Sequence, residues 1–417
     1  MKDHFIDPHP GAPKILFIGM SESSHNHSWL RLLEGANLNV RFFSLPALPP
    51  PDDWPFPTYI TTTRPPMGLD PTSRSCLYKP VNPDRQPFLL QRVWNRLWRL
   101  LTPAKLAQQE RMQAWLAEVI RIWQPDVIET VGLHPPAAEL YLRAREQYGL
   151  QGIGKWVLHT RGGSDLTLAR HDPEQVDRIV PIIKACNQII CDNYANFDYL
   201  RAMGARETQF SSLGPLPGTG GLDVDLLSSS AVHRPSSRRM ILWPKAYDFT
   251  YSMALPVFEG IKIAWERIQP CEIIMLYMVI DSTRAWYKTL PEEIRRSCRV
   301  HDKLPRDEVF ALMGRARVAL APSLVDGVPN VLYEAMASGA MPIVSPLETI
   351  TPIVKQHENV LFARNLYPHE IADALVRAMN DDDLVDEAAK RNLVRVRELA
   401  DRKTIAPRVI QYYQSLA

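Results

Sequence analysis

Cysteine is scarce and unpatterned: five in 417 residues (Cys76, Cys186, Cys191, Cys271 and Cys298), with no CxxC pair. That spacing argues against a disulfide framework and a thiolate zinc site, and predicts inert thiols in a reducing compartment. Long apolar runs are missing too. No stretch of about 18 apolar residues occurs, so no membrane-spanning helix is expected. The opening stretch MKDHFIDPHPGAPK carries no apolar signal core, which makes a cytoplasmic protein the expectation. Charge of one sign is not in excess: the net value is +2, which gives no bulk attraction to nucleic acid. Internal repeats and low-complexity tracts are absent.

What is there reads as an ordinary globular chain, 46% hydrophobic and 23% charged, long enough for two domains. KILFIGM, HSWLRLLEGA and LNVRFFS read as strand, helix and strand, the start of a right-handed parallel βαβ unit. From 46 to 87 the chain carries 12 of its 36 prolines, and this reads as a long insertion without helical or strand periodicity. DVIETV, KWVLHT, QIICD and TQFSSL continue the strand series. GPLPGTGGLDVDLLSSSAVHRPSSRR is rich in Gly, Ser and Pro and marks a boundary. MILWP, EIIMLYMVI, CRVHD, RVALAPS, AMPIVS and NVLFA form a second series. The fold class is therefore α/β: two Rossmann-like, doubly wound parallel-sheet domains facing a cleft. The first spans 1–217, a linker 218–236, and the second 237–395. A last helix, 396–417, can cross back to the first domain.

The segment SLVDGVPNVLYEAMASGAMPIV holds the main oddity. Glu334 sits in a helical stretch that is otherwise small or apolar, and Asp326 lies eight positions earlier beside Gly327, Val328 and Pro329. The segment follows an apolar strand, so its loop lies at a strand's carboxyl end, where open α/β sheets bind ligands. Pro329 suits the first turn of the helix, whose start is an anion site. Asn330, Glu334 and Ser338 are four apart and share one polar stripe, while Leu332 and Met336, and Val331 and Ala335, make apolar flanks. A carboxylate on such a stripe can accept from two adjacent hydroxyls, as on a ribose. Asp326 would meet another part of the same elongated ligand, which describes a nucleotide-sugar. The alternative is an Asp cap and a Glu salt bridge. Ser24 and His25, after the first strand, would face the cleft and position an acceptor. His25-Asn26-His27 has no partner at metal-ligand spacing, so no metal site is expected.

DGVPNVLYEAMASGAMPIV resembles the E-x7-E segment of the retaining glycosyltransferases of family four, which have the GT-B fold. Asp326 stands in place of the first glutamate. The resemblance gives Glu334 the nucleotide ribose and Asp326 the donor sugar hydroxyls, with the backbone of Gly327 and Val328 near the sugar. It gives Lys245 one of two cationic roles on the diphosphate. The second falls on Met253, which carries no charge, leaving Arg161 or Arg364 to fill in. Thr349 and Ile350 stand where the family has a phosphate loop and would offer backbone N–H groups at a helix start. His134 matches a family histidine near the donor sugar. Arg161, Gly162, Gly163, Ser164 and Asp165 include a turn like the family's GSD.

The resemblance thus implies a retaining glycosyltransferase. It would use a nucleotide diphosphate sugar as co-substrate, without metal or cofactor, and a glycan, lipid-linked or small-molecule hydroxyl as acceptor. A Trp- and Arg-rich stretch, 85–101, can make peripheral membrane contact or pack as a core helix. The alternatives are a nucleotide-sugar epimerase on the same fold, and a non-catalytic nucleotide- or glycan-binding relative.

Overall fold

The computed structural model describes residues 5–45, 50, 53–62, 76–80, 104–133, 137–231 and 233–417. Two parallel sheets organise them. The first has the order β4-β3-β2-β1-β5-β6-β7 and the second β10-β9-β8-β11-β12-β13. The first is built from β1 (Lys14–Gly19), β2 (Asn39–Ser44), β3 (Thr58–Thr62), β4 (Cys76–Pro80), β5 (Val127–Val131), β6 (Lys155–His159) and β7 (Gln188–Ile190). The second uses β8 (Met240–Trp243), β9 (Glu272–Leu276), β10 (Cys298–His301), β11 (Val318–Ala321), β12 (Met341–Val344) and β13 (Leu361–Phe362).

The strands read as continuous apolar runs because helices cover both faces of each sheet. Successive residues alternate faces. Leu16 and Ile18 of β1 pack with Leu116, Ile120 and Tyr141, whereas Ile15 and Phe17 pack with Trp29, Val409 and Tyr413. The second sheet divides likewise. Ile241 and Trp243 join Phe258 and Leu375; Met240 and Leu242 join Leu332, Met336 and Val396. Burial of this kind is worth about 25 cal/mol per Å² of apolar surface.

Three readings of the sequence are corrected. The Pro-rich insertion holds two strands, Thr58–Thr62 and Cys76–Pro80, which extend the first sheet beyond β2. In-register parallel pairing tolerates proline at the end of an outer strand. TQFSSL forms no strand; Glu207–Gln209 is a 3₁₀ turn, and only a bridge from Phe210 to Ile189 touches the sheet. Pro329 lies one residue ahead of the helix Asn330–Ser338 and not in its first turn. That helix ends at Gly339, whose φ of 75° is open to glycine.

The helix Arg402–Leu416 returns to the first sheet, where Ile405, Val409 and Tyr413 are buried. At the crossing, Leu222 donates to Ala400 O at 2.9 Å and Arg402 donates to Leu222 O at 3.0 Å. No helix among the described residues is long and apolar enough to cross a membrane. The stretch 85–101, to which the sequence gives either membrane contact or a core-helix role, lies outside the described residues.

Candidate active site

Both sheets reverse their strand order once, between β1 and β5 and between β8 and β11. Loops at such switch points cannot cross over one another, so a crevice opens there at the carboxyl ends. The candidate residues lie on these loops. Lys245 follows β8, Asp326 follows β11, and Glu334 is on the helix after it. Across the crevice, Ser24 and His25 follow β1 and Arg161 follows β6.

Lys245 Nζ meets Asp326 Oδ2 at 3.3 Å, with both side chains partly exposed. Burial pulls the ammonium's pKa down, but Asp326, Tyr247 and Glu334 outweigh it and hold it above its ordinary value. Tyr247, Tyr251 and Trp243 wall a narrow recess beside the pair. Two backbone links fix the recess: Leu324 donates to Tyr251 O at 2.8 Å, and Thr349 Oγ1 donates to the carbonyls of Asp326 and Gly327 at 3.0 Å each.

Glu334 is half-buried while Val331, Leu332, Ala335 and Met336 around it are buried. No hydrogen bond or ion pair among the described residues engages its carboxylate. Desolvation raises its pKa, and the charges of Arg306 and Lys245 oppose the rise. A half-buried carboxylate without a protein partner is well placed to accept hydrogen bonds from a ligand's hydroxyls. The polar stripe is shorter than expected: Ser338 is buried and turns its hydroxyl back to Glu334 O. Asn330 Oδ1 accepts from Thr219 Oγ1 at 3.2 Å, so it links to the inter-lobe segment.

His25 is exposed at the mouth of the crevice. Desolvation and then the charges of Arg161 and Lys245 push its pKa down to about 4, so it is neutral near pH 7. Ser24, also exposed, opens the same helix, Ser24–Leu30. Arg161 donates from Nη1 to Asn26 Oδ1, while its Nε and Nη2 are buried without a partner. Burial lowers its pKa to about 10 against the charges of Glu129, Asp165 and Asp192.

Other candidates are braces. Asp165 accepts from the N–H groups of Leu133 at 2.9 Å and Arg161 at 2.7 Å, tying two loops together. Gly163 and Ser164 lie in the helical turn Gly163–Thr167, and Gly162, at φ 51°, precedes it. Arg364, which the resemblance offered as a substitute cation, is paired with Glu370 at 2.9 Å and stacked on Tyr367. Ile350 donates its N–H to Leu347 O at 2.9 Å inside a turn, not at a helix start, and so does not offer it to a phosphate. His134 lies outside the described residues. Among the described residues, no group of three or more His, Cys, Asp or Glu could hold a metal ion.

The lobes touch at two glycines. A Cβ on Gly327 would stand 2.7 Å from Gly162 Cα and 3.2 Å from Asp192 Oδ2. Val328 and Pro329 continue this loop into the Asn330–Ser338 helix. Nearby, Arg170 pairs with Glu348 at 2.6 Å. Asp192 went unnoticed in the sequence, although QIICDN places it at a strand's carboxyl end. It accepts from Gly162 N at 2.5 Å and from the side chains of Asn193 and Asn196 at 2.7 Å. Also unforeseen is a buried cluster behind the crevice. Tyr413 donates to Glu129, which lies 3.2 Å from His159 Nδ1, and Trp29 Nε1 donates to Tyr413 at 3.2 Å. Burial raises Glu129 to about 8 and lowers His159 well below its usual value, so both are neutral near pH 7.

This cluster makes a stability prediction. Folded Glu129 binds a proton that the unfolded chain releases near pH 4.5. Its favourable contribution is therefore complete at low pH and lost as pH rises toward 8. Asp192, raised to about 7 chiefly by burial, adds in the same direction. His159 acts oppositely, below pH 6.5. Urea unfolding at pH 6.5 and 8.5 should show wild type losing about 1–2 kcal/mol more than Glu129→Gln over that interval. Equal losses would mean that Glu129 is already ionised in the fold.

A larger cavity of 630 Å³ opens at the amino ends of β8, β9 and β10, on the side of the second sheet away from the crevice. Its arginines are engaged: Arg238 and Arg239 on backbone carbonyls, Arg299 and Arg315 on Glu272. It contains no counterpart of the Lys245–Asp326–Glu334 arrangement.

Residues 261–381 match the family model of glycosyl transferases group 1. That stretch holds Asp326 and Glu334 and begins after Lys245. Solved structures resemble the whole chain. Sucrose-phosphate synthase from Thermosynechococcus elongatus gives a TM-score of 0.67 at 15% identity, covering 97% of this chain and 99% of that one. A UDP-forming trehalose-phosphate synthase from Burkholderia xenovorans gives 0.65 at 12%, covering 97% and 99%. Anabaena HepE in complex with UDP-glucose gives 0.63 at 12%, covering 96% and 99%.

The fold is GT-B.

No curated protein sequence matches the chain. Within the GT-B frame, the second lobe carries the matched segment and the Lys245–Asp326–Glu334 group, and the first lobe carries His25 and Arg161.

Proposed function

We propose that this GT-B protein is a retaining glycosyltransferase that moves a sugar from a nucleoside diphosphate sugar to an acceptor hydroxyl on a glycan, a lipid-linked molecule or a small molecule. The observation that carries the reading is Glu334: an unpaired, desolvated carboxylate at the second sheet's switch point, one helix from the Lys245–Asp326 pair. Ribose hydroxyls would donate to Glu334, and donor-sugar hydroxyls to Asp326. The complexes of Anabaena HepE with UDP and UDP-glucose support a nucleotide-sugar as ligand of this fold, as does the group 1 match.

In this reading the bond from the anomeric carbon to the diphosphate oxygen breaks as the acceptor oxygen bonds to that carbon on the same face. The acceptor proton passes to the leaving phosphate. Lys245 meets the negative charge that grows there, and preorganised charge of this kind is the larger share of such catalysis. Neutral His25 would hydrogen-bond the acceptor, and Gly327 against Gly162 would keep water out. Side-chain cations, not a metal ion, carry the leaving charge. The assignment of 1–217 to acceptor and 237–395 to donor, with 218–236 as linker, belongs to the same proposal. So do a cytoplasmic location and the part in catalysis given to His134.

Product analysis with UDP-, GDP- and ADP-sugars tests the reading. Transfer to an acceptor, or slow donor hydrolysis without one, is expected from at least one donor, with the anomeric configuration kept. Absence of both across the panel would remove the proposal. Met253 favours one other reading, a nucleotide-binding relative without turnover. That reading expects binding without chemistry, and activity only on Met253→Lys.

A further inference from the structure

We infer that Arg306 supplies a second positive charge to the bound diphosphate, on its ribose side, so that Lys245 and Arg306 bracket the phosphates. The inference rests on the nucleotide-sugar reading of the crevice. A nucleoside diphosphate brings at least two negative charges, and the second lobe offers it Lys245, already shared with Asp326 at 3.3 Å. Where a further cation would stand, at the start of the helix Ala254–Ile268, the chain has Met253. Its backbone is fixed on both sides by Asn365, at 3.0 and 3.1 Å, and its side chain is 39% exposed. The position is ordered but uncharged, and Arg161, a substitute the resemblance offers, lies on the first lobe and is tied to Asn26, so the second lobe needs another cation of its own.

Arg306 has the right placement. It opens the helix Arg306–Arg315, in the loop after β10. Leu304, Val309 and Phe310 seat that loop on the core that also buries Val331 and Leu332, next to Glu334. The guanidinium lies over the Phe310 ring, 5.0 Å from its centroid, and makes no ion pair among the described residues. Asp307 and Glu308 follow on the same turn without engaging it. Its charge stands first among those acting on Glu334, and it also reaches His25 on the facing lobe and Arg402. Arg306 thus stands at the carboxyl end of the second sheet, on a loop packed against the same core as the Glu334 helix and within charge range of Glu334. Lys245 stands at the Asp326 end.

An arginine and a carboxylate within charge range of one another but unpaired are both satisfied by a ligand with hydroxyl donors at one end and an anion beside them. A ribose joined to phosphate has that form. The planar guanidinium fork matches two phosphate oxygens, which an ammonium cannot do. Stacking on Phe310 limits the rotamer freedom lost when the fork engages.

Calorimetry on the full chain separates the outcomes. The probes are UDP, GDP and ADP, then the parent nucleoside of whichever binds tightest. Arg306→Ala should weaken that nucleoside diphosphate by about 10- to 100-fold, leave the nucleoside within about 2-fold and leave the melting temperature unchanged. Adding Met253→Lys to Arg306→Ala should recover at least a third of the loss on a logarithmic scale. Equal diphosphate affinity in wild type and Arg306→Ala overturns this inference alone. So does an equal loss for diphosphate and nucleoside, which would place Arg306 on the base or ribose. A wild type that binds none of the three diphosphates overturns the nucleotide reading as well.

Discussion

Glu334→Gln is expected to lower kcat/KM for the sugar donor by about 10- to 150-fold, the range for losing a hydrogen bond to a charged group. The substitution keeps the shape of the side chain. It exchanges an acceptor-only group for an amide whose NH2 would face the ribose hydroxyls donor to donor. The helix should not suffer, because no hydrogen bond among the described residues holds the Glu334 carboxylate, and Val331, Leu332, Ala335 and Met336 bury its other faces. Removing a desolvated charge should if anything raise the melting temperature. The expected signature is therefore weaker donor use in a protein that is at least as stable. Steady-state kinetics with thermal melting reads both. A loss below about 3-fold would mean that Glu334 does not touch the ribose.

Gly327→Val should cost about 100-fold or more in kcat while leaving donor affinity nearly intact. Even a bare Cβ here would lie 2.7 Å from Gly162 Cα, and that neighbour is backbone, which cannot swing aside. The loop and the Gly162 segment must separate, and with them Asp326 and Lys245 from Arg161 and His25. Misplacement of about 1 Å between reacting groups can cost two orders of magnitude. Lys245, Asp326 and Glu334 share one lobe, so donor binding survives a displacement of the other. The cost in stability is expected to be about 1–3 kcal/mol, typical of overpacking. Donor titration beside single-turnover transfer checks the split. If kcat and donor affinity fell together, the loop would be shaping the donor site and not the approach of the lobes.

How much of this was legible depended on whether a signal was local. The strands that alternate with helices were legible because two-sided burial makes each one an apolar run, as in KILFIGM and RVALAPS. Glu334 was legible because Val331, Leu332, Ala335 and Met336 make the rest of its helix apolar and leave it on a single polar stripe. The strands Thr58–Thr62 and Cys76–Pro80 were hidden, since their pairing is settled by neighbouring strands and their prolines suggest a loop. Ser338 was placed with Glu334 by spacing, but a hydroxyl can satisfy itself on the carbonyl four residues back, and here it does. Glu129 and Tyr413 are 284 residues apart; nothing in VIETV or QYYQ announces the other. Arg364 was offered as a spare cation because its pairing with Glu370, six residues on, is set by the turn between them.

The central claim is that Glu334 grips a nucleotide in the crevice. Saturable binding of UDP, GDP and ADP, measured by calorimetry on wild type and on Glu334→Gln, tests it most directly. One of the three should bind wild type and bind the variant at least about 10-fold more weakly. Identical isotherms for the two proteins, or no binding of any of the three to wild type, would contradict it.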